Sequence, residues 1–431
     1  MKQLKQIVRV FIGIIILLKT FHYATSIEEI CFYFSLLSAL ILSIFKKTDS
    51  FFESPLTFPF IFFVSWAIID LFFALNKENS LRDIYGHLLK YLAFYYLLIN
   101  FFNSRKHLVY LSWIVVISTS AYAIFFLIYF YIVLGNNIST FFRIHVYLDY
   151  LYVFAFLLSI QLFSGETKIL NKILLLICLP TTTIAMILTQ TRTALPAISI
   201  ALIILLWKKK ILLGFLIILF MLPFVLAPYF ASRLNLGAIW EHKNIRIGVS
   251  YLFMEMVKDH PITGIGFGMQ TYDDPKLLAI YNKKVPSAFR QEPPIASPHN
   301  LFMDIAVRLG LVGLGLWIYI LITFGRMVWR LIRRGKDDFI RKWSLCLFAG
   351  ITAFFLQSIA FDATFGIQAI VFYTLLAMIT ILWRLDKRPE ISTHTEAKRA
   401  SWDESFDFFS VIHPQKSADS FARKSYAIKS T

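Results

Sequence analysis

Three residues in this chain have the type and the setting to act on an anionic, hydroxyl-bearing substrate: Arg192, Arg246 and His299. Arg192 lies in Thr189-Gln190-Thr191-Arg192-Thr193, a short polar break between two apolar runs, where a guanidinium is costly unless it meets a partner. Arg246 lies in the polar stretch 232–299, the long interruption of an otherwise apolar sequence. Irregular polar backbone in such a chain belongs outside the lipid or around a water-filled cavity, which makes this stretch the natural place for a site. Two guanidiniums converging on one point suit a diphosphate, because each can hold oxygens bidentately. Pairing of each with a carboxylate or a lipid headgroup fits the same residues.

His299 closes the polar stretch in Ser297-Pro298-His299-Asn300, where apolar sequence resumes. Ser followed by Pro ahead of a long apolar run reads as a helix start, with Ser297 as N-cap and Pro298 at the first helical position. His299 then sits in the first turn, where the positive end of the helix dipole disfavours imidazolium and attracts anions. A neutral imidazole there can accept a proton, although a histidine that merely caps the helix has the same signature. Asp304 and Arg308, four apart on the same helix, are expected to form an interior ion pair in a supporting role. Asp362, at the outer end of the next span, could orient His299 or pair with Arg192. The run Thr263-Gly264-Ile265-Gly266-Phe267-Gly268 has no preceding strand, so it reads as a tight turn that lets backbone approach a ligand or another helix.

The elements that position these groups are helical spans. Hydrophobic residues make up 58% of the 431 and charged residues 16%, and the mean hydropathy is +0.66, which excludes a soluble domain of this size. The expected fold is an all-α polytopic membrane protein with about twelve transmembrane helices, near 7–23, 28–45, 56–75, 84–102, 108–134, 144–163, 170–188, 194–207, 210–231, 300–329, 343–361 and 364–384. Residues 1–386 form the transmembrane domain. Within it, 232–299 is one large outer loop between helices 9 and 10, and 387–431 reads as a disordered cytoplasmic tail. The first apolar segment lacks a convincing signal-peptide cleavage site and is expected to stay as a span. Within the loop, Ile245, Val249, Leu252, Phe253 and Met256 recur at helical intervals from Asn244 to His260, with Arg246 and Ser250 opposite them near the first turn. An amphipathic helix on the outer membrane surface is the expected result.

Basic residues alternate as the positive-inside rule requires when both termini are cytoplasmic: Lys46, Lys47, Arg105, Lys106, Lys168, Lys172, Lys208 to Lys210 and the Arg330–Lys342 cluster fall on one side. The net charge of +17 is therefore matched to anionic headgroups, and membrane lipids rather than nucleic acid are the expected partners. Cys31, Cys178 and Cys346 fall in separate spans as small core residues. No internal repeat is visible, which counts against a transporter built from repeated halves.

Taken in order, TQTRTALPA, then Arg246 followed by KDHPITGIGFG, then SPHNLFMDIAVRLGLVGL resemble the O-antigen ligase and polymerase superfamily of bacterial inner membranes, over about residues 183–365. The resemblance implies an inverting, metal-independent glycosyltransferase without a cofactor, acting at the periplasmic face on a glycan carried by undecaprenyl diphosphate. Arg192 and Arg246 match the family's arginines that engage the diphosphate. His299 matches the histidine proposed to activate the acceptor hydroxyl. Within the family, lipid A-core as acceptor makes a ligase, another repeat a polymerase, and Ser or Thr a protein O-oligosaccharyltransferase; one large outer loop rather than two points to the ligase. Two other classes remain as alternatives: a metal-dependent transferase using Glu28 and Glu29, and a transporter of lipid-linked glycan, for which Asp70, Lys90 and His145 are isolated charges in the spans.

Overall fold

The computed structural model describes residues 2–21, 25–45, 51–137, 148–189, 191, 193–211, 214, 216, 236–359 and 365–388. All regular elements among them are helical: α1 (Lys2–Phe21), α2 (Thr25–Ile44), α3 (Thr57–Asp70), α4 (Lys77–Asp83), α5 (Lys90–Phe101), α6 (Arg105–Leu127), α7 (Asp149–Gly165), α8 (Ile169–Leu188), α9 (Ala194–Leu206), α10 (Leu236–Asp259), α11 (Pro275–Asn282), α12 (Leu301–Arg334), α13 (Asp338–Ser358) and α14 (Gly366–Lys387). One π-helical turn, Ile84–Leu89, joins α4 to α5, and another, Ile128–Val133, extends α6.

Short polar side chains start several of these helices by accepting otherwise unpaired first-turn N–H groups. Asn76 accepts from Asn79 N, Ser104 from His107 N and Asp337 from Ile340 N. Caps of this kind stabilise a helix by ~1 kcal/mol each. Among the described residues, six helices are long and apolar enough to cross a membrane: α2, α6 with its extension, α8, α12, α13 and α14. Three apolar helices are shorter, α3, α7 and α9. The expected ninth span, 210–231, lies outside the described residues except for 210, 211, 214 and 216, as does the tail beyond 388. The segment read as an outer loop contains two helices, α10 and α11.

α14 is apolar on all faces and buried on nearly all of them, so it forms the centre of the bundle, packing on α5, α12 and α13. Around it α13 packs on α9 and α7, α12 on α3, and α1 on α2 and α6. All three cysteines are buried and unbridged.

Polar contacts gather at two ends. At one end Arg9 Nε donates to the Phe101 carbonyl at 2.8 Å, Arg384 donates to the carbonyls of Glu53 and Ile99, and Arg105 pairs with Asp337. At the other end Lys19 pairs with Glu28 at 3.2 Å, and Lys90 pairs with both Glu28 and Glu29. Lys90 is thus not the isolated intramembrane charge that its sequence context implied, because α2 and α5 bring the three side chains together. The glycine run 264–268 meets α4 at Ser80 and Asp83, a few residues before Lys90 in the chain.

Candidate active site

The site is seated on a break in α12. Gly310 has φ 65° and ψ −172°, a conformation open essentially to glycine alone, and it interrupts the helical ladder two residues after Arg308. The freed carbonyls take donors from the glycine run and from α3: Ile265 N donates to Val307 O at 2.9 Å, Gly266 N to Arg308 O at 3.0 Å, and Trp66 Nε1 of α3 to Leu309 O at 2.9 Å. Leu311 N, on the far side of the break, donates to Pro261 O at 2.8 Å. The same run is pinned from its opposite face by Ser80 Oγ accepting from Gly268 N and Asp83 Oδ2 accepting from Met269 N at 2.8 Å. A Cβ at Gly264 would lie 2.5 Å from Val307 O, and one at Gly268 would lie 2.0 Å from Asn79 Oδ1. The tight turn read from the glycines therefore approaches two helices, α4 and α12.

Beneath it, Arg308 is 1% exposed and fully engaged. Its Nε donates to Phe267 O at 2.8 Å, its Nη1 meets Asp304 Oδ2 at 3.2 Å, and its guanidinium lies 4.3 Å from the rings of both Phe267 and Phe365. Tyr272 Oη donates to the other Asp304 oxygen at 3.1 Å. This is the expected interior ion pair, and it ties α12 to the glycine run. An adjoining cavity of about 30 Å³, walled by Phe63, Tyr91, Trp317 and Phe372 with Arg308, has room for about one water molecule and none for a lipid-linked substrate.

His299 lies just outside α12. The N-cap is Asn300, whose Oδ1 accepts from Phe302 N at 3.0 Å and Met303 N at 3.1 Å, and not Ser297 as the local grammar implied. His299 has φ 48°, a left-handed backbone in which the helix cannot include it. Ser297 Oγ instead serves His299 itself, accepting from its backbone N and lying 3.3 Å from Nδ1. Asn300 Nδ2 donates to the Ile359 carbonyl at 3.3 Å, fastening the start of α12 to the end of α13.

Arg246 is exposed on α10, in the interior of that helix rather than near its start. The opposite face of α10 buries Val249, Leu252, Phe253 and Met256 against Ile265, Tyr272, Ala306 and Val307, as the helical spacing predicted. The chain leading to His299 crosses α10 at Gly248, where a Cβ would lie 2.0 Å from Phe289 O, and Phe289 stacks on Tyr251. This crossing brings Arg246 within electrostatic range of His299. Burial pushes the His299 imidazole below the ordinary histidine range, and the Arg246 charge pushes it further the same way. His299 is therefore neutral at neutral pH, as expected, with burial as the main cause.

Arg192 and Asp362 lie outside the described residues, as does His145. Thr189, Thr191 and Thr193, on either side of Arg192 in the sequence, are among the described residues. Sequence reading missed Asn79, Ser80 and Asp83, which anchor the glycine run, and Tyr272 on Asp304. Their signal was the polar segment 76–83 ahead of an apolar run, which names no partner 186 residues away. Among the described residues no group of three or more His, Cys, Asp or Glu is placed to hold a metal ion.

The fold and the site define a helical membrane protein with a polar, arginine-flanked histidine at one end of its bundle. A family model described as "O-Antigen ligase" matches residues 173–318, which run from α8 to the middle of α12 and include Arg192, Arg246 and His299. The match supports membership of the O-antigen ligase superfamily, whose activity is glycosyltransferase-like. No curated protein matches the chain.

Proposed function

We propose that this chain is an inverting, metal-independent glycosyltransferase that moves an O-antigen glycan from undecaprenyl diphosphate to lipid A-core. On this reading both termini are cytoplasmic, and the site between α10 and α12 faces the periplasm across a bacterial inner membrane. The observation that carries the reading is His299: a half-buried imidazole, kept neutral, on a left-handed turn beside Arg246 at the start of a spanning helix.

The acceptor hydroxyl gives its proton to His299 as its oxygen attacks the anomeric carbon. The bond from that carbon to the diphosphate breaks, its electron pair leaves with the phosphate oxygen, and the configuration inverts. Arg246 and Arg192 hold the diphosphate and offset the charge that grows on it, a task that bidentate guanidiniums can perform without a metal. General-base help of this kind contributes about two to four orders of magnitude. Asp304 and Arg308 act by fixing the α12 break, and Asp362 is placed by the sequence where it could orient His299.

Lipopolysaccharide banding in a deletion strain tests the acceptor. Loss of all O-chain, restored by the wild-type chain but not by His299→Ala at equal protein level, supports the ligase. A single repeat left on the core means a polymerase. Unchanged lipopolysaccharide with loss of glycosylated protein means a protein O-oligosaccharyltransferase.

A further inference from the structure

The carboxylate that pins the glycine run also faces a second histidine. Asp83 is buried; its Oδ2 accepts from Met269 N at 2.8 Å, and its Oδ1 lies 3.8 Å from His87 Nε2. His87 belongs to the π-helical turn Ile84–Leu89, a rare winding that recurs at functional sites, and its side chain is 40% exposed. Its ring meets Phe365 edge-on at 4.8 Å and stacks on Tyr91 at 6.1 Å, and neither ring nitrogen makes a hydrogen bond among the described residues. From Phe365 the aromatic row continues to Phe267 at 6.1 Å, and both of those rings lie 4.3 Å from the Arg308 guanidinium. His87 thus stands on the same aromatic wall as the glycine run and the ion pair beneath it.

The cations around this turn are each set against a carboxylate: Arg308 against Asp304, Lys90 against Glu28 and Glu29, Lys19 against Glu28, and Arg82 against Asp83. Among the described residues, the wall at His87 therefore has no surplus positive charge to draw a phosphate. It offers an imidazole able to exchange a hydrogen bond with a hydroxyl, fixed beside aromatic carbon, and that pairing suits a sugar with its hydroxyls and C–H faces. The position suits a long substrate that also reaches His299. Asn300, next to His299, donates to the Ile359 carbonyl, and Phe365 follows six residues later, no more than about 20 Å away along an extended chain. His87 and His299 accordingly lie within the length of one short glycan.

We propose that His87 belongs to a subsite for the glycan acceptor: its imidazole, steadied by Asp83, holds a sugar hydroxyl at a distance from the hydroxyl that reacts at His299. The inference rests on the glycosyltransferase reading given above. His87 binds and takes no part in proton transfer at the reacting atoms, so its loss acts on acceptor affinity rather than on the chemical step.

The test uses purified full-length protein in detergent, with undecaprenyl-diphosphate-linked glycan as donor and lipid A-core as acceptor. His87→Phe keeps a ring against Phe365 and Tyr91 and removes the hydrogen bond. His87→Leu removes it without a ring and decides the matter if His87→Phe is unstable. The expected result is an acceptor KM raised about tenfold, kcat and donor KM within about twofold of wild type, partial recovery in His87→Gln, and an unchanged thermal midpoint. A wild-type acceptor KM in the stable variant, a donor KM that rises instead, or a loss of activity that merely follows a lowered thermal midpoint each overturns the inference. Wild-type protein that transfers nothing to lipid A-core overturns the ligase reading and the inference with it, so the two failures are told apart.

Discussion

Replacing Gly310 by alanine should separate the two halves of the site. The residue sits at φ 65°, ψ −172°, and a conformation of that kind costs a residue with a side chain about 1–3 kcal/mol. The new Cβ would also lie 2.0 Å from the Ile262 carbonyl oxygen and 2.8 Å from Thr263 N, both of them backbone atoms that cannot rotate aside. Relief requires the 261–266 segment to retreat from α12, which loosens the bonds from Leu311 N to Pro261 O, Ile265 N to Val307 O and Gly266 N to Arg308 O. At about 0.5–1.5 kcal/mol net for each bond, the total with the strain is roughly 3–7 kcal/mol. That is a large share of the stability of most folded proteins, about 5–15 kcal/mol. Gly315, five residues further along the same helix, is the control: a Cβ there meets nothing within 4 Å, and alanine in a helix interior is favoured by about 0.5–1 kcal/mol. Thermal unfolding in detergent, followed with glycan transfer on the same samples, should show a large fall in both for Gly310→Ala and none for Gly315→Ala. Equal stability of the two variants would refute the idea that the break in α12 seats the site.

Three further outcomes follow from the same geometry. Arg246→Gln removes a charge that opposes protonation of His299, so the imidazole should titrate at higher pH and the acid limb of the kcat/KM profile should move upward; an unmoved limb would mean that Arg246 does not act on this base. Arg308→Ala leaves Asp304 buried without its ion-pair partner and should cost about 3–5 kcal/mol in thermal unfolding, whereas Asp304→Leu with Arg308→Met should lose less; equal losses would contradict the pairing. Asn300→Ala should cost about 1 kcal/mol through the lost cap, whereas Ser297→Ala should leave α12 intact and lower transfer by releasing the His299 ring.

Helix positions were readable because apolar length is a local property. The run 28–45 became Thr25–Ile44 and the run 170–188 became Ile169–Leu188. The apolar face of α10 was readable for the same reason, since side chains three and four apart share a face whatever they meet. The backbone of His299 was not. Its left-handed backbone leaves it outside α12 with Asn300 as the cap, whereas local residue order points instead to Ser297. The glycines of 264–268 announced a close approach without naming Asn79 or Arg308 as what they approach. Lys90 looked isolated because its partners, Glu28 and Glu29, come from another helix.

The central claim is that His299 takes the proton of an acceptor hydroxyl while a lipid diphosphate leaves. Purified protein in detergent, with labelled undecaprenyl-diphosphate-linked glycan and lipid A-core, tests it in a single reaction, with no sealed membrane and with chelator present. The account predicts that wild-type protein places label on the acceptor and releases undecaprenyl diphosphate in equal amount, and that His299→Ala, equally stable, is slower by at least about two orders of magnitude. Transfer by His299→Ala at the wild-type rate would contradict it.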